Sequence, residues 1–503
     1  MKEKIKKNVI NVILIIVISI GSISCAKTPE KAIVTDKSAG LPKDCIIPVD
    51  NKKPKTLGIP EHWKETIEKS DKYVTLEADC DMEIPEIYST PVYSYEMKLM
   101  SKEFLEKLCD YFSEGDKLYE YPRMTQDELQ AEKEKIINYK GRWGTWKDLS
   151  GTSYWKNRLA KLDEMIGNAP EKQTEHQYIN AKFMRPYETE KDYFNEVSDY
   201  YYKTKDNIGF IARVDKGEEV DPVIRAVNYN NKIGSTTKFQ FQQGTYLDEI
   251  EMEQLTNNNM ESTEEYDKWL NELKKEISDD AELSKEEALK IVDKVLKDLS
   301  IEGFEVKDCV KVIGSEKSES WALLEDIQLE KNIGYSVYLY RKVGDVIGYD
   351  QWSPLIYDDL PETIYAPAFA TEKIHMTITK EGIREFKWTN ISNKVDTIAE
   401  NTKLLLFEEV KDNLSEHLLY GALSDEHEGL KGEGTRFVYK VKDVQLRSAN
   451  INAYENPDTV WMVPVWVFDL ERTGILETGE ELKWGIETVV LNAIDGGYVT
   501  IQN

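Results

Sequence analysis

The sequence predicts an α+β protein built of antiparallel sheets, each packed by helices. Three observations carry this. Residues 74–83 alternate: Val74, Leu76, Ala78, Cys80 and Met82 take one face, and Thr75, Glu77, Asp79, Asp81 and Glu83 the other, the period of a half-buried strand. Ser284 and Glu287 form a capping box ahead of Ala288, Leu289, Val292, Val295, Leu296 and Leu299, which recur at helical spacing. The C-terminal half then reads twice as a helix followed by antiparallel strands, over 281–400 and over 401–503. Such a unit buries one helix face against one sheet face.

The chain opens on a leader. Lys2, Lys4, Lys6 and Lys7 precede Val9–Ile20, apolar apart from Asn11 and Ser19. This run is shorter than the ~20 residues a membrane span needs. Ser22-Ile23-Ser24-Cys25 follows and resembles a bacterial lipobox, with Ser22 where Leu, Val or Ile is usual. The resemblance implies that residues 1–24 are a lipoprotein signal peptide and that Cys25 is acylated. The rest of the chain is then extracytoplasmic and held on the cell membrane. Residues 25–60, rich in Pro, Gly, Lys and Asp, read as a flexible spacer.

Residues 61–280 are expected to form an N-terminal α+β domain. After the strand at 74–83, Tyr93, Tyr95, Met97 and Leu99 suggest another. A helix from about Lys102 carries Phe104, Leu105, Leu108, Cys109 and Phe112 on one side and stops at Gly115. Thr125 and Glu128 cap a further helix, and Tyr154 to Ile166 reads as helical. Three strand-like runs lie within 208–243. In the C-terminal half, IHMTIT and IREFKW form a hairpin turning at Lys380-Glu381-Gly382. Phe407, Val410, Leu414 and Leu418 mark the second helix. Asp495-Gly496-Gly497 reads as a hairpin turn before a last strand.

The chain has 65 basic and 93 acidic residues, a net charge of −28. Such a charge repels phosphate polyanions and argues against a nucleic-acid partner. Beyond Cys25, four cysteines remain (Cys45, Cys80, Cys109 and Cys309); their spacing matches no zinc motif and leaves three disulfide pairings open.

Candidate chemistry is sparse. Glu77, Asp79, Asp81 and Glu83 share a strand face and could hold calcium or supply a carboxylate pair. A straight strand does not wrap an ion, and a solvated outer face is the plainer reading. Trp143, Trp146 and Trp155, near Gly144 and Gly151, offer a stacking surface for sugars. His62, His176, His375, His417 and His427 read as exposed polar residues without HExxH spacing. Ser153-Tyr154-Trp155-Lys156 matches a bare SxxK with no accompanying SDN or KTG. No complete catalytic set, cofactor motif or metal-ligand set results.

LSKEEALKIVDKVLKDLSI (283–301) resembles the helix of PepSY-type and YycI-like extracellular modules, and VPVWVFDL (463–470) with VVLNAIDGGYV (489–499) resembles their closing strands. From the leader through VTLEADCDMEIPE to LNAIDGG, the chain resembles uncharacterised lipoproteins of Gram-positive anaerobes. The resemblance implies an extracytoplasmic, membrane-tethered protein; with the anchor, the spacer, the antiparallel-sheet modules and the lack of a complete catalytic motif, the expectation is a non-enzymatic binding or regulatory protein. An envelope protein or peptide is the expected partner, and a ligand- or glycan-binding role the alternative. A carboxylate-based hydrolase is the weaker reading.

Overall fold

The structure is a computed structural model. It describes residues 37, 40–49, 56–70, 72–84, 87–120, 124–138, 140–141, 144–145, 153–172, 175–183, 209–218, 221–228, 236–248, 250, 271, 274–277, 281–315, 329–351, 364–365, 367–424, 435–453 and 456–499. The leader and Cys25 lie outside the described residues.

In chain order the main elements are β1 (His62–Lys69), β2 (Val74–Asp81), β3 (Ser89–Met97), α1 (Lys102–Ser113), β4 (Leu118–Glu120), α2 (Gln126–Ile137), α3 (Ser153–Asn168), β5 (Gly209–Val214), β6 (Val223–Val227), β7 (Lys238–Gln242), β8 (Thr245–Asp248), α4 (Lys285–Leu299), β9 (Phe304–Ser315), β10 (Leu329–Val343), β11 (Lys373–Thr379), β12 (Gly382–Thr389), β13 (Ser392–Lys403), α5 (Phe407–Ser424), β14 (Arg436–Ala453), β15 (Asn456–Ile475), β16 (Glu481–Asn492) and β17 (Tyr498–Val499).

Two large sheets organise the chain. The first runs β1-β2-β14-β15-β16-β17, with β3 joining β15 to β13. The second runs β8-β9-β10-β11-β12-β7-β6-β5-β4. Strands take 49% of the described residues and helices 23%, so the protein is mostly β. This corrects the expected α+β class with PepSY/cystatin-like helix-plus-sheet units. The local periodicities place most elements where expected; the pairing is what differs. A helix-plus-sheet unit pairs strands that are neighbours in sequence. Here β2 pairs in parallel with β14, Val74 opposite Phe437, and β7 pairs with β12, Phe241 opposite Phe386. The sheets therefore cut across the expected segments 61–280, 281–400 and 401–503.

Each sheet carries its own core. Leu105, Leu108, Cys109 and Phe112 of α1 and Ala288, Val292, Val295 and Leu299 of α4 cover one face of the second sheet, against Phe239, Val337, Met376 and Phe386. The caps are the expected ones: Glu287 N–H donates to Ser284 Oγ at 3.2 Å, and Ser284 N–H donates to Glu287 Oε2 at 3.0 Å. Phe407, Val410, Leu414 and Leu418 of α5 pack on the first sheet against Trp63, Trp466 and Phe468. The run Val463–Leu470 lies in the middle of that sheet and is buried on both faces, as a continuous apolar strand should be.

The expected spacer over 25–60 is packed where it is described. Leu41, Ile46 and Leu57 are buried in the first core. Lys403 N–H donates to Ile47 O, and Val49 N–H to Asn401 O, so residues 47–49 lie along the end of β13. The four remaining cysteines are free thiols, Cys109 fully buried.

Candidate functional site: the polar face of the second sheet

The second sheet is apolar under its helices and polar on the other side. Strand alternation sends successive residues to opposite faces, and pairing aligns those of neighbouring strands. With Val337, Met376, Phe386 and Phe239 in the core, the opposite face takes the residues between them. Register places Arg225, Gln240, Lys387, His375 and Tyr338 in one row across β6, β7, β12, β11 and β10. Five strands at ~4.8 Å spacing make a row of about 19 Å. The next row holds Gln242, Glu385, Thr377 and Ser336.

These side chains are linked. Asp248, at the end of β8, accepts from Tyr338 Oη at 2.7 Å. The Tyr338 and His375 rings stack with centroids 4.4 Å apart. His375 Nε2 lies 3.2 Å from Ser336 Oγ, and Nδ1 lies 3.7 Å from Glu385 Oε2. Gln240 Nε2 donates to Glu385 Oε1 at 3.2 Å, and Arg225 Nη1 donates to Gln242 Oε1 at 3.2 Å. Burial, with Lys387 and Lys373 nearby, lowers the pKa of His375 to about 3; burial pushes the Glu385 carboxyl up. Burial thus works against the charged form of each group. Thr377 is fully buried, and among the described residues its hydroxyl has no hydrogen-bond partner; nor has Arg225 Nε. Buried polar atoms left open in this way take ordered water or a ligand.

Ser336, His375 and Glu385 stand in the order of a nucleophile, base and orienting acid. The surroundings argue against that chemistry. Ser336 is 1% exposed and sits mid-strand, paired with Val310 on one side and Thr377 on the other. Its backbone N–H is thus committed to the ladder and does not serve an oxyanion. A histidine with a pKa near 3 is also a weak general base at neutral pH. The arrangement suits recognition of a polar ligand better than acyl transfer.

The sites expected from sequence fall elsewhere. Trp143 and Trp146 lie outside the described residues. Trp155 lies in α3, and its side chain is outside what the structure describes. Asp79 and Asp81 do share a face, but β1 neutralises them: His62 Nε2 lies 2.8 Å from Asp79 Oδ1, His62 Nδ1 lies 2.7 Å from Asp81 Oδ1, and Lys64 Nζ donates to Asp79 Oδ2 at 2.6 Å. His375 is buried rather than an exposed polar residue, and His417 is half-buried, stacked on Tyr498 at 4.3 Å. Among the described residues, no group of three or more His, Cys, Asp or Glu could hold a metal ion.

Sequence reasoning missed Asp248, Tyr338, Glu385 and Gln240. For Gln240 and Glu385 the signal was present: Lys238, Gln240 and Gln242 alternate with apolar residues, as do Glu385, Lys387 and Thr389. That signal reads equally as a solvated outer face.

No family model matches the chain, and no curated protein matches it. Among solved structures, the chain is similar to an uncharacterised protein from Eubacterium rectale ATCC 33656. That match has 14% sequence identity, covers 88% of this chain and 94% of the other, and gives a TM-score of 0.37.

Proposed function

We propose that this chain is a lipid-anchored, extracytoplasmic, non-enzymatic binding protein of the cell envelope, and that a polar segment of an envelope protein or peptide is taken on the polar face of the second sheet, at its exposed Lys387. The leader and Cys25 support the anchor. The observation that carries binding is the row Arg225, Gln240, Lys387, His375 and Tyr338, beside the buried hydroxyl of Thr377, which has no partner among the described residues. A rigid sheet presenting aligned donors and acceptors is preorganised for a polar chain laid across it.

The test is in-cell photo-crosslinking from a benzoylphenylalanine at Lys387, which is exposed, with the same probe at Gln130, exposed on α2, as control. One recurrent envelope adduct from Lys387 alone, lost in R225A/Q240A, supports the reading. Equal adducts at both positions, or none at Lys387, overturn it.

A further inference from the structure

We infer that the end of the first sheet carrying Lys37 and Asp495 rests on the outer leaflet of the cell membrane, with Ile47 and Leu406 as its apolar contacts. The inference rests on the reading of Cys25 as the acylated residue. Its structural ground is where the body takes hold of the chain. Lys37 pairs with Asp495, and each side chain is 15% exposed. Asp495 also accepts from Tyr365 Oη at 2.7 Å and from Gly497 N–H at 3.0 Å. The Lys37 ammonium lies 5.1 Å from the Tyr365 ring centre. The turn Asp495-Gly496-Gly497 is thus a clasp for the incoming chain as well as a bend before β17.

The clasp sets the length of the tether. From Cys25 to Lys37 there are twelve residues (37 − 25). Whatever their conformation, they span at most about 40 Å. A compact body of ~460 residues has a radius of gyration near ~23 Å and a diameter of roughly 60 Å. Turning the pole opposite the clasp to the membrane would need a tether of about half the circumference, roughly 90 Å by the same scaling. The tether is less than half of that. That excludes the pole opposite the clasp and leaves the clasp side of the body turned toward the bilayer.

The chemistry of that end agrees. Leu405 N–H donates to Ala493 O, and Lys403 N–H donates to Ile47 O, so Ile47 and Leu406 both lie beside the clasp turn. They are 54% and 44% exposed. Lys43 and Lys403 are exposed in the same region, as are Asp44 and Glu408. For a chain of net charge −28, an anionic leaflet is repulsive at long range, so contact depends on the acyl chains and these apolar side chains. The other end of the first sheet is distant. Asn492 N–H donates to Gly497 O at the clasp, and Trp484 is eight residues (492 − 484) back along β16, about 27 Å away.

The experiment uses the full chain in cells, with benzoylphenylalanine at Ile47, at Leu406 or at Trp484, each exposed, followed by mass spectrometry of lipid adducts. Phospholipid adducts at Ile47 and Leu406, at least about fivefold above Trp484, are expected. Inserting thirty Gly/Ser residues after Thr28 should cut that ratio to about one. Equal adduct yields at Ile47, Leu406 and Trp484 in an acylated chain overturn the orientation and leave the anchor standing. An N-terminal peptide with no acyl mass on Cys25 overturns both.

Discussion

Arg341 and Glu372 form a salt bridge in which both Nε and Nη2 of the guanidinium reach the same carboxylate oxygen, at 2.6 and 2.5 Å. The Glu372 side chain is 1% exposed. Trp388 Nε1 donates to its other oxygen at 2.8 Å, and Ser392 Oγ donates to Oε2 at 2.8 Å. The guanidinium lies 4.6 Å from the Phe304 ring centre and 5.6 Å from that of Tyr95. The pair thus joins β10 and β12 of the second sheet to β3 and β13 of the first. Burial raises the pKa of Glu372, and Arg341 pulls against it. Removing the cation alone leaves a buried carboxylate uncompensated, so R341M should cost about 3 kcal/mol or more in urea unfolding. E372Q keeps the shape and leaves a cation that water reaches in part, and should cost roughly 1 kcal/mol. R341M no worse than E372Q would contradict this account.

The second prediction concerns acid. Because His375 has a pKa of about 3 in the fold and about 6.5 unfolded, the unfolded state binds the extra proton first. The stability it contributes is full above pH 6.5 and is lost as pH falls toward 3. The facing groups do not reverse this: Lys373 and Lys387 oppose the charge, and Glu385 at 3.7 Å has its own carboxyl pushed toward the neutral form. Between pH 7 and pH 5 the loss from this residue should be about 2 kcal/mol. H375Q should flatten that part of the stability profile. In the unsubstituted protein the His375 imidazole proton resonances should not shift between pH 5 and 8; a midpoint near 6.5 would show that the ring is solvated.

His62 should behave oppositely. It lies in the open between Asp79 and Asp81, whose hydrogen bonds raise its pKa. A raised histidine contributes stability that is present below about 6.5 and lost as pH rises through the folded value. Asp79, lowered first by Lys64 and then by His62, contributes above about 3.9 and loses it as pH falls. The cluster is therefore strongest between those limits. In an NMR titration the His62 midpoint should lie above 6.5 and return to it in D79N/D81N. An unchanged midpoint in that variant would remove the carboxylates as the cause.

These two histidines show what could be read beforehand. Alternation from Val74 to Met82 located β2 and its buried face, because a strand's period is local. The boxes at Thr125/Glu128 and Ser284/Glu287, and the hairpin at Gly382, are local in the same sense. Sheet membership is not: Val74 meets Phe437 across more than 360 residues, and nothing near Val74 encodes that. The candidate site was hidden for the same reason. Gln240, Lys387, His375 and Tyr338 look like outward residues of four separate strands until register puts them in a row. Asp79 and Asp81 looked like a site because their partners, His62 and Lys64, sit on a different strand.

Gly334 provides a test of the β10–β11 pairing on which the candidate site depends. A Cβ built at this position would lie 2.2 Å from Ile378 O and 2.9 Å from Thr379 Cγ2. The first contact is with backbone, held by the pairing of Tyr335 with Ile378, so it does not move aside cheaply. G334A should therefore shift the end of β11, two positions from Thr377 and four from His375, and destabilise the protein by about 2–3 kcal/mol. Gly382, by contrast, has open space around its Cβ position but a φ of +109°, so G382A carries only the backbone strain of a disfavoured conformation, about 1–2 kcal/mol. Hydrogen exchange of the Thr377 amide separates the two. It should rise strongly in G334A and far less in G382A. If G334A left Thr377 exchange unchanged, the close approach of β10 to Ile378 would not be what holds this edge of the site.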